Sequence, residues 1–204
     1  MDPPVTVDMI TKTNGHIPSG SFVLDSGIAV GDDGRIYMCA AGSRLVALTA
    51  DGQFEWEFTT KVHFVNHASP VVGVDGTVYF ASGDGTLYAL NHDGTIKWEQ
   101  YLAGGPISAT PILAQDDAIY VVTSTAVAAV SSDGKLLAEA DANGGESSPT
   151  VAADGTIYMA SRDGKIIAFA GTHGDLQKSA WPKFQATVAN SGHTQPLEPE
   201  SKVQ

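Results

Sequence analysis

The feature that most constrains the fold of this chain is an Asp-Gly pair that returns at a constant distance. Asp75-Gly76, Asp84-Gly85 and Asp93-Gly94 begin nine residues apart. An Asp-Gly pair between alternating apolar residues is a strong two-residue hairpin signal, because both central positions of a type I′ turn need positive φ. Turns at this spacing leave about seven residues for each strand, close to the usual strand length. Residues 69–100 are therefore predicted to form a four-stranded antiparallel meander.

The same unit recurs along the chain, so the hairpin signal describes the whole molecule. Further copies cover residues 27–58, 109–140 and 147–175. The tyrosines that anchor the second strand of each copy are spaced 42, 41 and 38 residues apart: Tyr37, Tyr79, Tyr120 and Tyr158. A period near 40 with four strands per unit is typical of β-propeller blades, which bury their two apolar faces by stacking. The predicted fold class is all-β, a β-propeller built from four-stranded antiparallel blades.

Two of the copies share residues that go beyond turn chemistry. The second copy has the pattern A-x-N-x-x-G-x-x-x-W from Ala89 to Trp98, and the first has A-x-T-x-x-G-x-x-x-W from Ala47 to Trp56. Ser-Pro or Thr-Pro opens a strand at residues 69–70, 110–111 and 148–149. With these features the chain resembles the tryptophan-docking repeats of the pyrroloquinoline-quinone-like (PQQ-like, BamB-like) β-propeller family, over roughly residues 22–194.

The resemblance assigns a structural role to the tryptophans. It implies that Trp56 and Trp98 wedge against the neighbouring blade, where a tryptophan buries a large apolar area and needs a partner for its N–H. The third copy departs from the pattern with Ala138, and an insertion displaces Trp181 in the fourth. The alternative role for these tryptophans is a platform on which a sugar stacks.

The repeats also suggest how the chain is organised. Blades are expected at about residues 25–62, 67–103, 108–142 and 147–187, within a propeller region of 25–187. Residues 1–24 are expected to form an N-terminal segment that supplies the outer strand of a preceding or closing blade, and residues 188–204 a C-terminal tail. Related propellers usually close with more than four blades. The four repeats are therefore expected to be a partial propeller, or half of a larger ring completed by a homodimer.

The candidate binding surface follows from propeller geometry. The loop that leads into each innermost strand lies on one face, beside the central channel, and loops carried by a rigid scaffold often bind ligands. The polar residues of these four loops are the predicted ligand-binding residues: Asp25, His63, Asn66, His67, Ser108, Glu146 and Ser147.

A metal site is not expected. His63 and His67 have a spacing that suits one face of a helix, but they lie in a loop between strands, so loop histidines without a metal are the simpler interpretation. The turns Asp32-Asp33-Gly34 and Asp116-Asp117 lack the calcium-loop pattern, and hairpin chemistry already explains them.

Three enzyme hypotheses stand beside a non-catalytic one. Glu55 and Glu57 flank Trp56 and could form an acid–base pair, but a solvated strand face is the simpler interpretation. No G-x-S-x-G motif supports a hydrolase. By the resemblance, a quinoprotein dehydrogenase would stack its quinone between a tryptophan and a vicinal disulfide, next to calcium, whereas this chain has the single cysteine Cys39.

The charge and composition of the chain disfavour nucleic acid as a partner and a membrane span. The chain carries 11 Lys and Arg against 23 Asp and Glu, a net charge of −12, which disfavours nucleic acid. No stretch reaches 18 consecutive apolar residues, so no membrane span is expected. Met1 is followed by Asp-Pro-Pro, so no signal peptide is expected in this chain.

The combined prediction is a scaffold that is not an enzyme and that binds a protein or peptide through loops on one face, with no cofactor. The family resemblance implies an extracytoplasmic location, either periplasmic or secreted. The alternatives are a fragment of a PQQ-dependent quinoprotein dehydrogenase and a carbohydrate-binding surface protein. The latter would need exposed aromatic residues in the loops, where Phe22 and Phe64 are the candidates.

Overall fold

The computed structural model describes residues 26–40, 43–61, 67–115, 117–145 and 147–171, which contain β-strands and no helix. The strands are β1 (Ile28–Val30), β2 (Ile36–Ala40), β3 (Arg44–Leu48), β4 (Phe54–Thr59), β5 (Val71–Val72), β6 (Val78–Ala81), β7 (Thr86–Leu90), β8 (Ile96–Tyr101), β9 (Ile112–Leu113), β10 (Ala118–Val122), β11 (Ala126–Ser131), β12 (Leu136–Asp141), β13 (Thr150–Val151), β14 (Thr156–Ala160) and β15 (Ile166–Ala170).

The strands form four antiparallel sheets, each a simple meander in chain order. The first sheet is β1–β4, the second β5–β8, the third β9–β12 and the fourth β13–β15. The fourth sheet has three strands among the described residues. This architecture confirms the predicted all-β fold class of stacked antiparallel blades.

The four repeat tyrosines occupy the same place in successive sheets. Each pairs with a residue of the first strand on one side and with an alanine of the third strand on the other. The alanine partners, in chain order, are Ala47, Ala89, Ala129 and Ala168. The period near 40 residues therefore corresponds to one sheet per repeat.

The core lies between the sheets. Tyr37 of the first sheet packs in one apolar cluster with Phe80 of the second. Tyr79 of the second sheet lies in a cluster with Ile119 of the third, and Tyr120 of the third in a cluster with residues of the fourth. Strands β6 and β7 are buried along their whole length, because the second sheet is covered on both faces.

The hairpin turns differ from the predicted two-residue type I′ turns. In the first turn the N–H of Gly31 donates to the carbonyl of Arg35, and the N–H of Gly34 donates to the carbonyl of Gly31. Gly34 has φ of 82°, whereas among the described residues other than glycine only Ser43 and Asp117 have positive φ. This is a three-residue loop, a type I turn followed by a left-handed residue. The type I′ prediction is wrong because a type I′ turn needs positive φ at both central residues, and no Asp of an Asp-Gly pair has positive φ.

The aspartate of each of these turns accepts a hydrogen bond that stabilises the turn. The Asp75 carboxylate accepts a hydrogen bond from the N–H of Thr77 at 3.0 Å, and Asp84 accepts one from Thr86 at 2.9 Å. The pattern stabilises the turn locally, as Asx turns do. The aspartates that recur along the chain are therefore explained by hairpin geometry.

Each tryptophan of an outer strand contacts the next sheet. Trp98 Nε1 in β8 donates to the carbonyl of Ser132 at 2.8 Å, and the Trp98 ring lies against Gly134 in the same turn. The Trp98 ring also packs against Tyr79 of its own sheet, with the two ring centroids 5.8 Å apart. Trp56 repeats the arrangement, with Nε1 donating to the carbonyl of His92 at 2.9 Å.

A second set of contacts joins the sheets at their first strands. The N–H of Gly27 donates to Ser69 Oγ at 2.7 Å, that of Ser69 to Thr110 Oγ1 at 2.9 Å, and that of Thr110 to Ser148 Oγ at 3.1 Å. These four residues occupy equivalent positions two residues before the partner of the repeat tyrosine. The hydroxyls that precede the strand-opening prolines therefore link one sheet to the next.

Replacing Thr110 with valine is expected to lower the free energy of unfolding by about 1–3 kcal/mol, because it leaves the N–H of buried Ser69 without an acceptor. Valine keeps the shape of threonine, so the loss reports the hydrogen bond. Chemical denaturation of Thr110→Val beside Thr110→Ser measures it. The serine variant keeps the hydroxyl, so an equal loss in both variants would contradict the proposed link.

Candidate functional site

The loops that lead into β9 and β13 are fixed onto the third sheet. The carbonyl of Gly104 accepts hydrogen bonds from the N–H of Thr125 at 3.1 Å and from Ser124 Oγ at 2.9 Å. On the other side the N–H of Ala142 donates to the carbonyl of Thr125 at 2.8 Å. We call this end of the sheets the loop end. It is formed by the loop residues 60–61, 67–70, 102–111, 142–145 and 147–149 and by the turns 82–86, 123–125 and 161–165.

Two glycines allow this close approach. A Cβ on Gly104 would collide with the Thr123 side chain, and one on Gly144 would collide with the Thr123 carbonyl. Both loops therefore pack against one turn with no room for a side chain between them. The loop end presents a fixed backbone framework, which is the setting in which binding residues can be positioned accurately.

The predicted ligand-binding residues are only partly described. Asp25, His63, Asn66 and Glu146 lie outside the described residues. His67 and Ser147 are exposed and Ser108 is half-buried, each in the loop before a different first strand. These three residues lie at the same end of successive sheets, and the described contacts include no hydrogen bond between any two of them.

A groove at the loop end was not anticipated from the sequence. It has a volume of about 410 Å³ and lies at the junction of the first and second sheets. Its lining residues are Lys61, Asp84, Thr86, Tyr88, Glu99 and Tyr101. Tyr101 is 64% exposed and its ring lies beside Gly85, so an aromatic surface is available to a ligand. The signal that could have pointed to it is the tyrosine at the end of β8.

Charges in the groove are arranged across the sheet junction. Lys61 Nζ of the first sheet lies 3.0 Å from Glu99 Oε1 of the second. Tyr88 donates its hydroxyl proton to Asp84 Oδ2 at 3.1 Å. Burial, and then the nearby Asp84 carboxylate, raise the pKa of Tyr88 to about 12, so its hydroxyl stays protonated and keeps donating. The groove thus offers fixed polar groups and an exposed ring.

The carboxylates of β4 are engaged in ion pairs. Arg35 Nε lies 2.6 Å from Glu55 Oε2, and Arg44 Nη1 lies 3.3 Å from Glu57 Oε2. The two glutamates therefore stabilise the outer face of the first sheet. This placement agrees with the strand-face interpretation of Glu55 and Glu57.

The one cation in the described residues that makes no described ion pair lies at the loop end. Arg162 is exposed, its N–H donates to the carbonyl of Asn143 at 3.0 Å, and its side chain lies beside Gly145. The other described lysines and arginines are all ion-paired. The exposed guanidinium of Arg162 therefore offers a positive charge at the loop end.

By the family resemblance, a quinone cofactor would need a vicinal disulfide and a calcium site. Cys39, the single cysteine of this chain, is buried in β2, and burial raises the pKa of its thiol to about 12. A vicinal disulfide needs a second, adjacent cysteine. Within the described ranges no group of three or more His, Cys, Asp and Glu residues could hold a metal ion. The one cysteine of the sequence cannot supply the vicinal disulfide that the resemblance implies, and the described residues supply no cluster for calcium.

Acid is expected to destabilise the turns at the opposite end of the sheets. Asp75 Oδ2 lies 2.8 Å from Lys97 Nζ. Partial burial alone would raise the pKa of Asp75, but the hydrogen bonds from Lys97 and Thr77 outweigh it and lower the pKa to about 2. A carboxyl group with a lowered folded-state pKa stabilises the fold above its unfolded value near 3.9. That stabilisation is lost as the pH falls from about 5 towards 2.

The corresponding measurement is the free energy of unfolding of Asp75→Asn between pH 7 and pH 2. We expect this variant to lose less stability on acidification than the wild type does. Lys97→Met, which removes the cation beside Asp75, is the companion variant and should also lose less stability on acidification than the wild type. An unchanged pH dependence in Asp75→Asn would contradict the role given to the Lys97 contact.

The chain is similar to known proteins in both sequence and fold. The family model described as outer membrane protein assembly factor BamB matches residues 6–144. No curated protein matches the chain. No helix capable of crossing a bilayer occurs in the described part of the chain.

Two solved structures share the fold. BamB from Moraxella catarrhalis aligns with a TM-score of 0.54 and 20% identity, over 78% of this chain and 64% of that chain. Quinohemoprotein alcohol dehydrogenase from Comamonas testosteroni aligns with a TM-score of 0.61 and 16% identity, over 76% of this chain and 35% of that chain. At these identities the likeness concerns the fold alone, and the chain spans less than two thirds of the length of either protein.

Proposed function

The chain belongs to the family of outer membrane protein assembly factor BamB, and from this premise we propose that it is a non-catalytic scaffold that binds an extended protein segment at its loop end. The observation that carries the proposal is the groove between the first and second sheets, where the exposed ring of Tyr101 lies beside the carboxylates of Asp84 and Glu99. Exposed aromatic residues next to fixed polar groups are typical of protein-binding surfaces.

The chemistry of the groove indicates what kind of segment it takes. Asp84 and Glu99 present carboxylate oxygens, and the whole chain carries a net charge of −12, so a basic side chain is favoured over an acidic one. Tyr101 supplies a flat apolar surface for an aromatic or aliphatic side chain. Strands of outer-membrane barrels alternate apolar and polar residues and end in aromatic girdles, and they match this description.

The family description also supports a location outside the cytoplasm. A protein that takes part in outer membrane protein assembly works outside the cytoplasm, and an extracytoplasmic location of this chain is part of the same proposal. The contribution of His67, Ser108 and Ser147 belongs to the same proposal: their loops are at the groove end, and we assign them to the margin of the contact with the partner.

A titration with a synthetic peptide tests the proposal. The probe is a twelve-residue peptide that alternates aromatic and polar residues and carries one lysine near each end. We expect saturable binding in calorimetry, at least tenfold weaker in Tyr101→Ala. Ile96→Ala, on the same strand β8 but outside the groove, is the matched control and should bind like the wild type.

Two results would overturn this function. One is peptide binding that is equal in Tyr101→Ala and in the wild type, since the groove would then not be the site. The other is dye-linked oxidation of an alcohol after the quinone and calcium are added, since a turnover assay of that kind reports an enzyme. Circular dichroism of each variant ensures that the comparison is made between folded proteins.

A further inference from the structure

The groove at the loop end lies on the face of the second sheet that packs against the first sheet. On this face Tyr88 of β7 pairs with Glu99 of β8, and Tyr101 lies two positions further along β8. Phe58 of the first sheet covers the face as far as Tyr88, with the two ring centroids 5.2 Å apart. Tyr88 is 3% exposed and Tyr101 is 64% exposed, so the cover ends between them, next to Glu99.

The two carboxylates of the groove are held in different ways. Asp84 accepts hydrogen bonds from the N–H of Thr86 at 2.9 Å and from the Tyr88 hydroxyl at 3.1 Å, and both donors belong to its own sheet. The described contact of the Glu99 carboxylate is the ion pair with Lys61 Nζ at 3.0 Å. Glu99 is therefore the carboxylate whose charge is balanced by a residue of another sheet.

The ion pair between Lys61 and Glu99 differs from the other ion pairs in what it joins. The Lys61 side chain is 77% exposed and that of Glu99 is 40% exposed. An ion pair at such a site is screened by water and contributes little to stability. The other ion pairs between described residues lie within one sheet, whereas this one joins the first sheet to the second at the groove. Its removal therefore leaves the fold intact and changes the charge of the groove.

Glu99 is a carboxylate that a basic side chain of a bound segment would contact, and Lys61 already contacts it. Two cationic groups at one carboxylate repel each other, so the arrival of one weakens the contact of the other. We propose that Lys61 is an internal competitor: it pairs with Glu99 in the free protein, and a lysine or arginine side chain of the bound segment takes its place. This inference rests on the function proposed above for the groove.

The competition makes the groove selective for a basic segment. A basic side chain that displaces Lys61 keeps Glu99 paired. An uncharged side chain has two outcomes, since it either leaves Lys61 in the groove or leaves Glu99 without a cation. Because an exposed ion pair is weak, its release lowers the affinity for a basic segment by about two- to fivefold.

Calorimetric titration with two peptides tests the competition. The probes are the twelve-residue peptide that tests the proposed function, with one lysine near each end, and the same peptide with both lysines replaced by methionine. We expect Lys61→Met to bind the lysine peptide about two- to fivefold more tightly than the wild type does, and the methionine peptide with unchanged affinity. In a Glu99→Gln background, Lys61→Met should change neither affinity, because the contested carboxylate is gone.

Lys135→Met is the matched control. The Lys135 side chain is 78% exposed, against 77% for Lys61, and its ammonium group is paired with Asp133 in a turn of the third sheet. The variant removes the same charge from the chain at a place away from the groove. It should therefore bind both peptides as the wild type does.

The outcome for the competitor is separable from the outcome for the groove. If Tyr101→Ala weakens binding of the lysine peptide but Lys61→Met does not strengthen it, the groove binds the segment and Lys61 is not a competitor. Equal tightening in Lys61→Met and Lys135→Met would also overturn the inference, because net charge would then explain the effect. If neither the wild type nor Lys61→Met binds either peptide, the function proposed for the groove fails and the inference fails with it.

Discussion

Replacing Trp98 with alanine is expected to lower the free energy of unfolding by about 3–5 kcal/mol, the range for removing a large packed aromatic side chain. Trp98 lies between two sheets: its ring contacts Tyr79 on one side and Gly134 on the other, and its N–H donates to the carbonyl of Ser132. Alanine removes all of these contacts at once. Chemical denaturation monitored by circular dichroism measures the effect.

Two companion variants show which contact matters. Trp98→Phe keeps most of the ring but loses the hydrogen bond to Ser132, so we expect about a third of the alanine effect, consistent with one hydrogen bond of about 1 kcal/mol. Ala138, at the equivalent position of β12, is already small, and Ala138→Gly should cost much less than Trp98→Ala. A change of under about half a kcal/mol in Trp98→Ala would show that the sheets do not depend on this contact.

Replacing Gly134 with alanine is expected to lower the free energy of unfolding by about 2–4 kcal/mol, from an unfavourable φ together with overpacking. Gly134 has φ of 85°, and a Cβ there would lie 2.8 Å from Cδ2 of Trp98. The new methyl group would displace the Trp98 indole from its contact with the turn that contains Gly134. The effect is measured by the same denaturation experiment.

The chain contains an unusually close control for this variant. Gly164 lies in a loop with the sequence Ser-Arg-Asp-Gly-Lys, and Gly134 in one with the sequence Ser-Ser-Asp-Gly-Lys. The two loops have the same backbone hydrogen bonds, and φ of Gly164 is 80°. A Cβ on Gly164 meets nothing within 4 Å, so Gly164→Ala should show the backbone cost alone, about 1 kcal/mol. Equal losses at the two glycines would mean that the docked ring adds no steric constraint.

The repeat could be predicted from the sequence because its signals are local and recur. Turn residues at fixed spacing and a tyrosine near every fortieth position indicated stacked sheets, and the structure places Tyr37, Tyr79, Tyr120 and Tyr158 in one register. The turn type could not be predicted in the same way. An Asp-Gly pair fits both a type I′ turn and a three-residue loop, and the choice depends on strand register, which the neighbouring strands determine.

The site was harder to predict because it depends on contacts between distant segments. The loop end is fixed by Gly104 and Gly144, which lie in two different loops and both approach Thr123. No local sequence pattern indicates a contact between residues so far apart in the chain. The groove contains Lys61 from the first sheet and Tyr101 from the second, 40 positions apart in the chain. The sequence-based prediction placed binding residues in the loops before the first strands, and no local sequence pattern indicated a groove at the end of an outer strand.

The most direct test of the stacked-sheet account is the proton chemical shift of the glycines that face a docked indole. A proton directly over an aromatic ring is shifted strongly upfield. One Hα of Gly94 faces the Trp56 ring, and one Hα of Gly134 faces the Trp98 ring. We expect one Hα of each glycine to resonate well upfield of the Hα atoms of Gly164, which faces open space. Ordinary shifts at all three glycines would contradict the central claim that each tryptophan joins its sheet to the next.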